Sequence, residues 1–235
     1  MTKTMSKSTE IAMPICVARK GFIFVWIPKT AGTSIANVLS KSCLMTSPES
    51  CADIHNFEGS GGLTTKHRSV SKLLRLGILD SDVYETCFKF SFVRNPWDRF
   101  VSLFHYWQRV PSTRRMCPKS FADACKMISS MHFGRIGVVD IGRFRIGQPQ
   151  SNWLFDDSRL LVDFVGRYKT LNDDFSHVCS IIGIVPSSLS KLNSTDRGDY
   201  RSFYNDETAN IIGKVYADDI RNFGFSFDDG ARRET

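Results

Sequence analysis

Apolar residues along this chain gather into short unbroken runs, separated by longer stretches of helical period. The first run, Phe22 to Ile27, is aromatic and β-branched throughout, as a strand buried on both faces would be. Polar PKTAGTS follows, and then Ile35–Cys43 has helical composition, which predicts a strand, a tight loop and a helix in succession. Further helices are predicted near Arg68–Leu76 and Asp80–Cys87. A second strand, Phe88–Val93, ends in Arg-Asn-Pro, after which Trp97–Val110 resumes a helical period with Val101, Phe104 and Trp107 on one side. Another helix is predicted near Phe121–Ser130, and Leu160–Gly166 (LLVDFVG) is a third buried-strand pattern. Thr170 with Asp173 forms a candidate capping box for a helix ending at Gly183, and Asn205–Arg221 reads as the last helix. Pro, Ser and Gly mark 43–65 as a loop or flap, and Gly marks a second loop through 131–150. Strands separated by helices predict an α/β domain with a mainly parallel sheet.

The composition fits that reading and narrows it. With 235 residues, 42% hydrophobic and 23% charged, the chain is neither collagenous, low-complexity nor wholly disordered, and one domain over 19–228 is expected between tails at 1–18 and 229–235. Seven cysteines, an odd number with no CxxC pair, read as buried reduced thiols. Neither they nor the five histidines stand at zinc-ligand spacing, so no metal is expected. The longest apolar run is far below the roughly 20 residues that span a bilayer, and the opening MTKTMSKSTEIAMP has no apolar core to follow its basic residues. A reducing, cytoplasmic location is the expectation, with no membrane span.

Charge alters the picture more. Between Thr64 and Lys119 stand eleven basic residues against four acidic ones, so this stretch carries the whole net charge of +7. Such a surplus steers anions toward it, or is a solvated basic face.

Two segments in or near this basic region carry candidate chemistry. Pro28-Lys29-Thr30-Ala31-Gly32-Thr33-Ser34 lies where an α/β sheet places its ligands, after a strand and at a helix start. Free amides and the helix dipole there favour an anion, Gly32 permits close approach, and Lys29, Thr33 and Ser34 add donors. The lysine precedes the glycine, so this is not the nucleotide loop GxxxxGK[ST]. The plain alternative is a polar turn capped by Ser34. In the second segment Arg94 closes a strand and Ser102 lies about two turns into the next helix, so both can approach one phosphate from the same sheet edge. Here the plain alternative pairs Arg94 or Arg99 with Asp98 or another acid.

Together IPKTAGTS and, some sixty residues later, FKFSFVRNPWDRFVSLF closely resemble the 5′-phosphosulfate and 3′-phosphate motifs of sulfotransferases. The resemblance is strongest to the carbohydrate sulfotransferase superfamily of chondroitin, dermatan and heparan 2-O enzymes with their bacterial relatives. It extends through LVDFVGRYKTLNDDF and the segment from Leu192 to Phe227, about residues 20 to 227. It implies a three-layer, P-loop-NTPase-like α/β fold with a mainly parallel central sheet flanked by helices. It also implies sulfuryl transfer from 3′-phosphoadenosine 5′-phosphosulfate (PAPS) to an acceptor hydroxyl, leaving 3′-phosphoadenosine 5′-phosphate (PAP), without a metal. The acceptor would be a glycan or another hydroxyl-bearing small molecule, and no nucleic acid is expected as partner. Carried over, Lys29, Thr30, Ala31, Gly32, Thr33 and Ser34 would hold the 5′-phosphosulfate, with Lys29 on the leaving oxygen. Arg94 and Ser102 would hold the 3′-phosphate. His67 stands where relatives carry a histidine proposed as general base, with His105 in reserve. Arg167, Ser194, Thr195 and Arg197 resemble looser cofactor or loop positions, Ser194 being the cofactor-binding candidate among them. Relatives commonly carry an acid where this chain has Arg167-Tyr168-Lys169. Arg109, Arg114 and Arg115 would meet an anionic acceptor or face solvent.

Two other functions stay open on the sequence. A nucleotide kinase or NTPase would use LLVDFVG as a Walker-B-like strand with Asp163 on magnesium, although GxxxxGK[ST] is absent. A non-catalytic polyanion binder would use the basic stretch alone, with steep salt dependence.

Overall fold

The computed structural model describes residues 15–18, 22–44, 69–75, 81–132, 147–185, 189 and 198–229. Strand β1 (Ile15–Ala18) pairs antiparallel with β2 (Phe22–Val25), which leads into α1 (Gly32–Leu44). Short helices α2 (Val70–Arg75) and α3 (Ser81–Thr86) precede β3 (Phe88–Val93), and α4 (Pro96–Arg109) follows it. Then come α5 (Pro111–Arg114), α6 (Phe121–His132), α7 (Ser151–Leu154), a two-stranded ribbon of β4 (Phe155–Asp156) with β5 (Arg159–Leu160), and β6 (Phe164–Arg167). The chain continues with α8 (Leu171–Ile182), a 3-10 turn at Tyr200–Phe203, α9 (Asp206–Val215) and α10 (Ala217–Phe223). The main sheet has the order β1-β2-β3-β6, with β2, β3 and β6 parallel.

Alternation along β2 and β3 sends their phenylalanines to one face, and Ile23, Val25, Lys89, Ser91 and Val93 to the other. Phe22, Phe24, Phe90 and Phe92 pack under Ile35 and Leu39 of α1 and Phe175, Val178 and Cys179 of α8. Ile23, Val25 and Val93 meet Val70, Trp153, Leu154 and Phe223 from α2, α7 and α10. Helices therefore cover both faces, as a parallel sheet requires. A third cluster joins α4, α6 and α9 around Trp107, Phe100 and Tyr216. Cys87, Cys117, Cys125 and Cys179 are free and buried, as expected of them, and burial pushes the thiol pKa of Cys117 and Cys179 up to about 11 and that of Cys125 to about 12.

Several elements differ from the sequence expectation. Ile15–Ala18, expected within a tail, is a paired strand. The run Leu160–Gly166 is two strands rather than one, because Asp163 interrupts it. Its carboxylate accepts the Lys89 N–H at 2.7 Å and its own N–H donates to the Lys89 carbonyl, so the ladder with β3 starts only there. The Thr170–Asp173 capping box does not form. The Thr170 hydroxyl instead bonds Asp174 Oδ2, which also accepts the Arg167 N–H. Gly183 does close α8, in the left-handed conformation at φ 70°. The last helix breaks at Tyr216, whose buried hydroxyl donates to the Gly147 carbonyl at 2.6 Å. Asn205 and Thr208 form a true capping box at the start of α9.

Gly166 in β6 is required by the aromatic layer. A Cβ there would stand 2.4 Å from the Phe92 ring, which itself packs on Phe175. Gly166→Ala should lower stability by about 1–3 kcal/mol, read as a lower urea midpoint with an unchanged slope.

Candidate functional site

Between β2 and α1 the backbone turns through Pro28–Ala31, with Lys29 and Ala31 both left-handed at φ 70° and 69°. Non-glycine residues hold that region at a cost of about 1 kcal/mol or more each, so the turn is over-determined by its surroundings. Thr30 is fully buried and its hydroxyl donates inward to the Ile27 carbonyl at 2.8 Å, so this side chain builds the turn. Gly32 was expected to let a ligand approach. The space a Cβ would take is occupied instead by the Trp26 indole, at 2.0 Å, so here the glycine serves packing. The helical bond from the Ile35 N–H to the Ala31 carbonyl opens α1, so the amides of Gly32, Thr33 and Ser34 stand in its first turn, at the positive end of the helix dipole. That helix start, with Thr33 half-buried and Ser34 buried, faces the same turn as Lys29.

Arg94 leaves the end of β3 and is 6% exposed. Its Nε and Nη2 bond Asp98 at 2.6 and 2.8 Å, its Nη1 donates to the Lys29 carbonyl at 3.3 Å, and its guanidinium lies 3.9 Å from the Tyr168 ring centre. The pairing with Asp98 is the plain alternative weighed above, but it sits at the turn. Lys29 in turn places its ammonium 4.9 Å from the Tyr106 ring centre. Asp98, Ser102 and Tyr106 follow one another at single-turn spacing on α4 and are all half-buried. Ser102 thus stands between the residue gripping Arg94 and the one facing Lys29. The structure brings Lys29, Arg94 and Ser102 together at the carboxyl ends of β2 and β3.

Behind this mouth lies a buried polar network that the sequence reading did not assemble. Arg99, with no exposed surface, donates to the Pro28 carbonyl at 3.1 Å and the Gln148 carbonyl at 3.0 Å. Gln150, also fully buried, accepts the Arg94 N–H at 2.9 Å and donates to the Arg94 carbonyl at 2.8 Å. Asp219 of α10 receives the main-chain N–H groups of Gln150 and Ser151 and the side chains of both. Burial raises the Asp219 pKa, the Arg99 charge and these donors oppose the rise, and burial likewise lowers that of Arg99.

Other expected residues fall elsewhere. His67, Ser194, Thr195 and Arg197 lie outside the described residues. His105 is half-buried with its ring edge on Phe203 at 5.4 Å. Arg167 donates to the Phe223 carbonyl at 2.5 Å and lies over Phe225, and Lys169 donates to the Asp229 carbonyl at 2.6 Å, so both serve the C-terminal segment. Arg109, Arg114 and Arg115 are exposed. Asp163 pairs with Lys89 at 3.3 Å, at the amino end of the parallel strands. A magnesium ligand beside Lys29 would have to stand at the opposite edge. Among the described residues no group of three or more His, Cys, Asp and Glu could hold a metal, and no helix is long and apolar enough to cross a membrane.

Comparison with known proteins agrees with this arrangement of two cationic segments after parallel strands. Residues 15–226 match the model of the sulfotransferase family, and the chain belongs to that family. An uncharacterized protein of Archaeoglobus fulgidus is 24% identical over 112 residues, which is 48% of this chain and 81% of that protein. No solved structure gives a significant match.

The Trp26–Gly32 contact makes the start of α1 intolerant of any side chain at 32. Gly32→Ala should cost about 1–3 kcal/mol in thermal unfolding, while Val185→Ala, at an exposed position, should leave the melting temperature unchanged.

Proposed function

We propose that this sulfotransferase takes its sulfuryl group from PAPS and passes it to a hydroxyl of a carbohydrate. The reading is supported by one observation above all: the Arg94 guanidinium donates to the Lys29 carbonyl, so the two anion-binding segments meet at one mouth. The donor set fits a bisphosphorylated nucleotide, with an ammonium and helix-start amides on one side and a planar guanidinium with a hydroxyl on the other. Lys29 with the amides of Thr30, Ala31, Gly32, Thr33 and Ser34 would hold the 5′-phosphosulfate, and Arg94 with Ser102 the 3′-phosphate. Ser194 joins the donor site in this proposal.

PAPS supplies an activated sulfuryl group whose transfer breaks one S–O bond as the acceptor oxygen forms another. Lys29 neutralises the negative charge that builds on the departing oxygen, which is the largest stabilisation such chemistry offers. His67 accepts the proton that the acceptor hydroxyl releases. No step requires a metal ion. We place the activity in a single cytoplasmic domain of P-loop-NTPase-like, three-layer form, beginning at β1 rather than at residue 19. The kinase reading loses its magnesium ligand with Asp163 at the far sheet edge.

Calorimetric titration should give tight PAP binding without Mg²⁺, weaker AMP binding and no magnesium-dependent preference for ADP. ADP with magnesium favoured, or salt-steep binding without nucleotide preference, would instead support the kinase or the polyanion binder. Lys29→Ala should lose about a hundredfold or more in turnover with an unchanged melting temperature. His67→Ala should lower turnover while PAP affinity holds, and full activity in that variant would return the base to His105 or a carboxylate.

A further inference from the structure

A single buried side chain ties the main chain of Arg94 to the rest of the protein. Gln150 is 0% exposed, and its carboxamide takes both the N–H and the C=O of Arg94, as a peptide of a neighbouring strand would. Its own N–H and Nε2 donate to Asp219 Oδ2 at 2.8 and 3.2 Å. The segment that carries it, Gly147–Ser151, is gripped at three points. Tyr216 donates to the Gly147 carbonyl, Arg99 to the Gln148 carbonyl, and Asp219 accepts from Gln150 and Ser151. Arg99 also donates to the Pro28 carbonyl, one residue before Lys29. The strap thus touches both anion-binding segments, one through Gln150 and the other through Arg99.

We propose that Gln150 is a positioning residue for donor binding: it fixes where Arg94 stands relative to Lys29, and so sets the spacing between the 3′-phosphate and 5′-phosphosulfate subsites. This rests on the donor reading above. The physical ground is the geometry of a rigid ligand held at two points. Side-chain contacts to Asp98 and Tyr168 aim the Arg94 guanidinium, but they cannot fix its Cα. The paired hydrogen bonds from Gln150 do so just past the last sheet residue, and a small misplacement at such a point weakens a two-point ligand more than a one-point ligand.

The test compares PAP with AMP, which differ only in the 3′-phosphate, by calorimetry on the full chain. Gln150→Met keeps length and burial but removes every side-chain hydrogen bond. It should weaken PAP binding about tenfold while AMP affinity stays within about twofold. A folded variant in which both affinities fall together, or neither changes, would overturn the proposal, because a general structural role has no reason to discriminate between the two nucleotides. Should that variant fail to fold, Ser151→Ala removes one bond to Asp219 and should lower the PAP-to-AMP preference about two- to threefold, and an unchanged preference there overturns the proposal equally. Wild-type protein that shows no preference for PAP over AMP would reject the donor reading itself and this inference with it, an outcome distinct from either variant's.

Discussion

Removing a guanidinium from water costs several kcal/mol unless donors and charges replace the lost hydration. Arg99 has no exposed surface, and what replaces water is a fixed set of partners: the carbonyls of Pro28 and Gln148, the faces of Trp153 and Tyr216, and the charge of Asp219. Those partners come from three separate stretches of chain. The loop after β2, the strap before α7 and the break between α9 and α10 all close around this one cation. The architecture of the mouth is therefore a consequence of satisfying Arg99 and Asp219 together, and the same closure delivers Lys29 and Arg94 to one edge.

The sheet beneath supplies rigidity for that closure. Phenylalanines packed across β2 and β3, with Phe24 stacked on Phe90 at 5.2 Å and Phe22 tilted against it at 5.8 Å, lock the relative register of the two strands whose ends carry the candidate site. Ser91, the polar residue buried between them, donates to the Val25 carbonyl at 2.7 Å and leaves no unsatisfied hydroxyl in the core. Lys89 is absorbed in the same way at the opposite end, by the carbonyls of Tyr84 and Cys87 and by Asp163. The polar residues of β3 thus point away from the aromatic layer, and only Arg94, beyond the last strand residue, remains at the mouth.

Much of this was legible in the sequence where local chemistry decides the outcome. The strands Phe22–Val25 and Phe88–Val93, the helix start at Asn95-Pro96 and the stop at Gly183 follow from periodicity and capping. The two loops that meet as a site were visible as motifs after strands. Elements decided by distant partners were not. LLVDFVG is uniformly apolar apart from Asp163, and nothing within it announces that Lys89, seventy-four residues earlier, will claim that carboxylate and end the ribbon. No local pattern marks Arg99 and Asp219 as buried, Asp219 being one of two adjacent aspartates in a helical stretch of which only the second turns inward. Gln150 carries no motif at all. Its role exists only because β3 ends opposite the strap, a fact of tertiary structure. The packing of Gly32 against the Trp26 indole is hidden for a similar reason, since side-chain direction rather than spacing sets it.

Asp98 gives the mouth a character that its cations alone would not. Arg94 already holds a carboxylate in its fork, and this ion pair is largely shielded, with the two side chains 7% and 20% exposed. An anion arriving at that fork meets no bare positive charge waiting to be neutralised. At the proposed donor site its gain is the difference between its own pairing with Arg94 and the pairing that Asp98 already makes. A singly charged or poorly shaped visitor would gain little from that competition, whereas a dianion with tetrahedral oxygens would gain more, and its departure would be eased by a carboxylate ready to take its place. On that reading selectivity and release rest on one side chain, four residues after the arginine it shields.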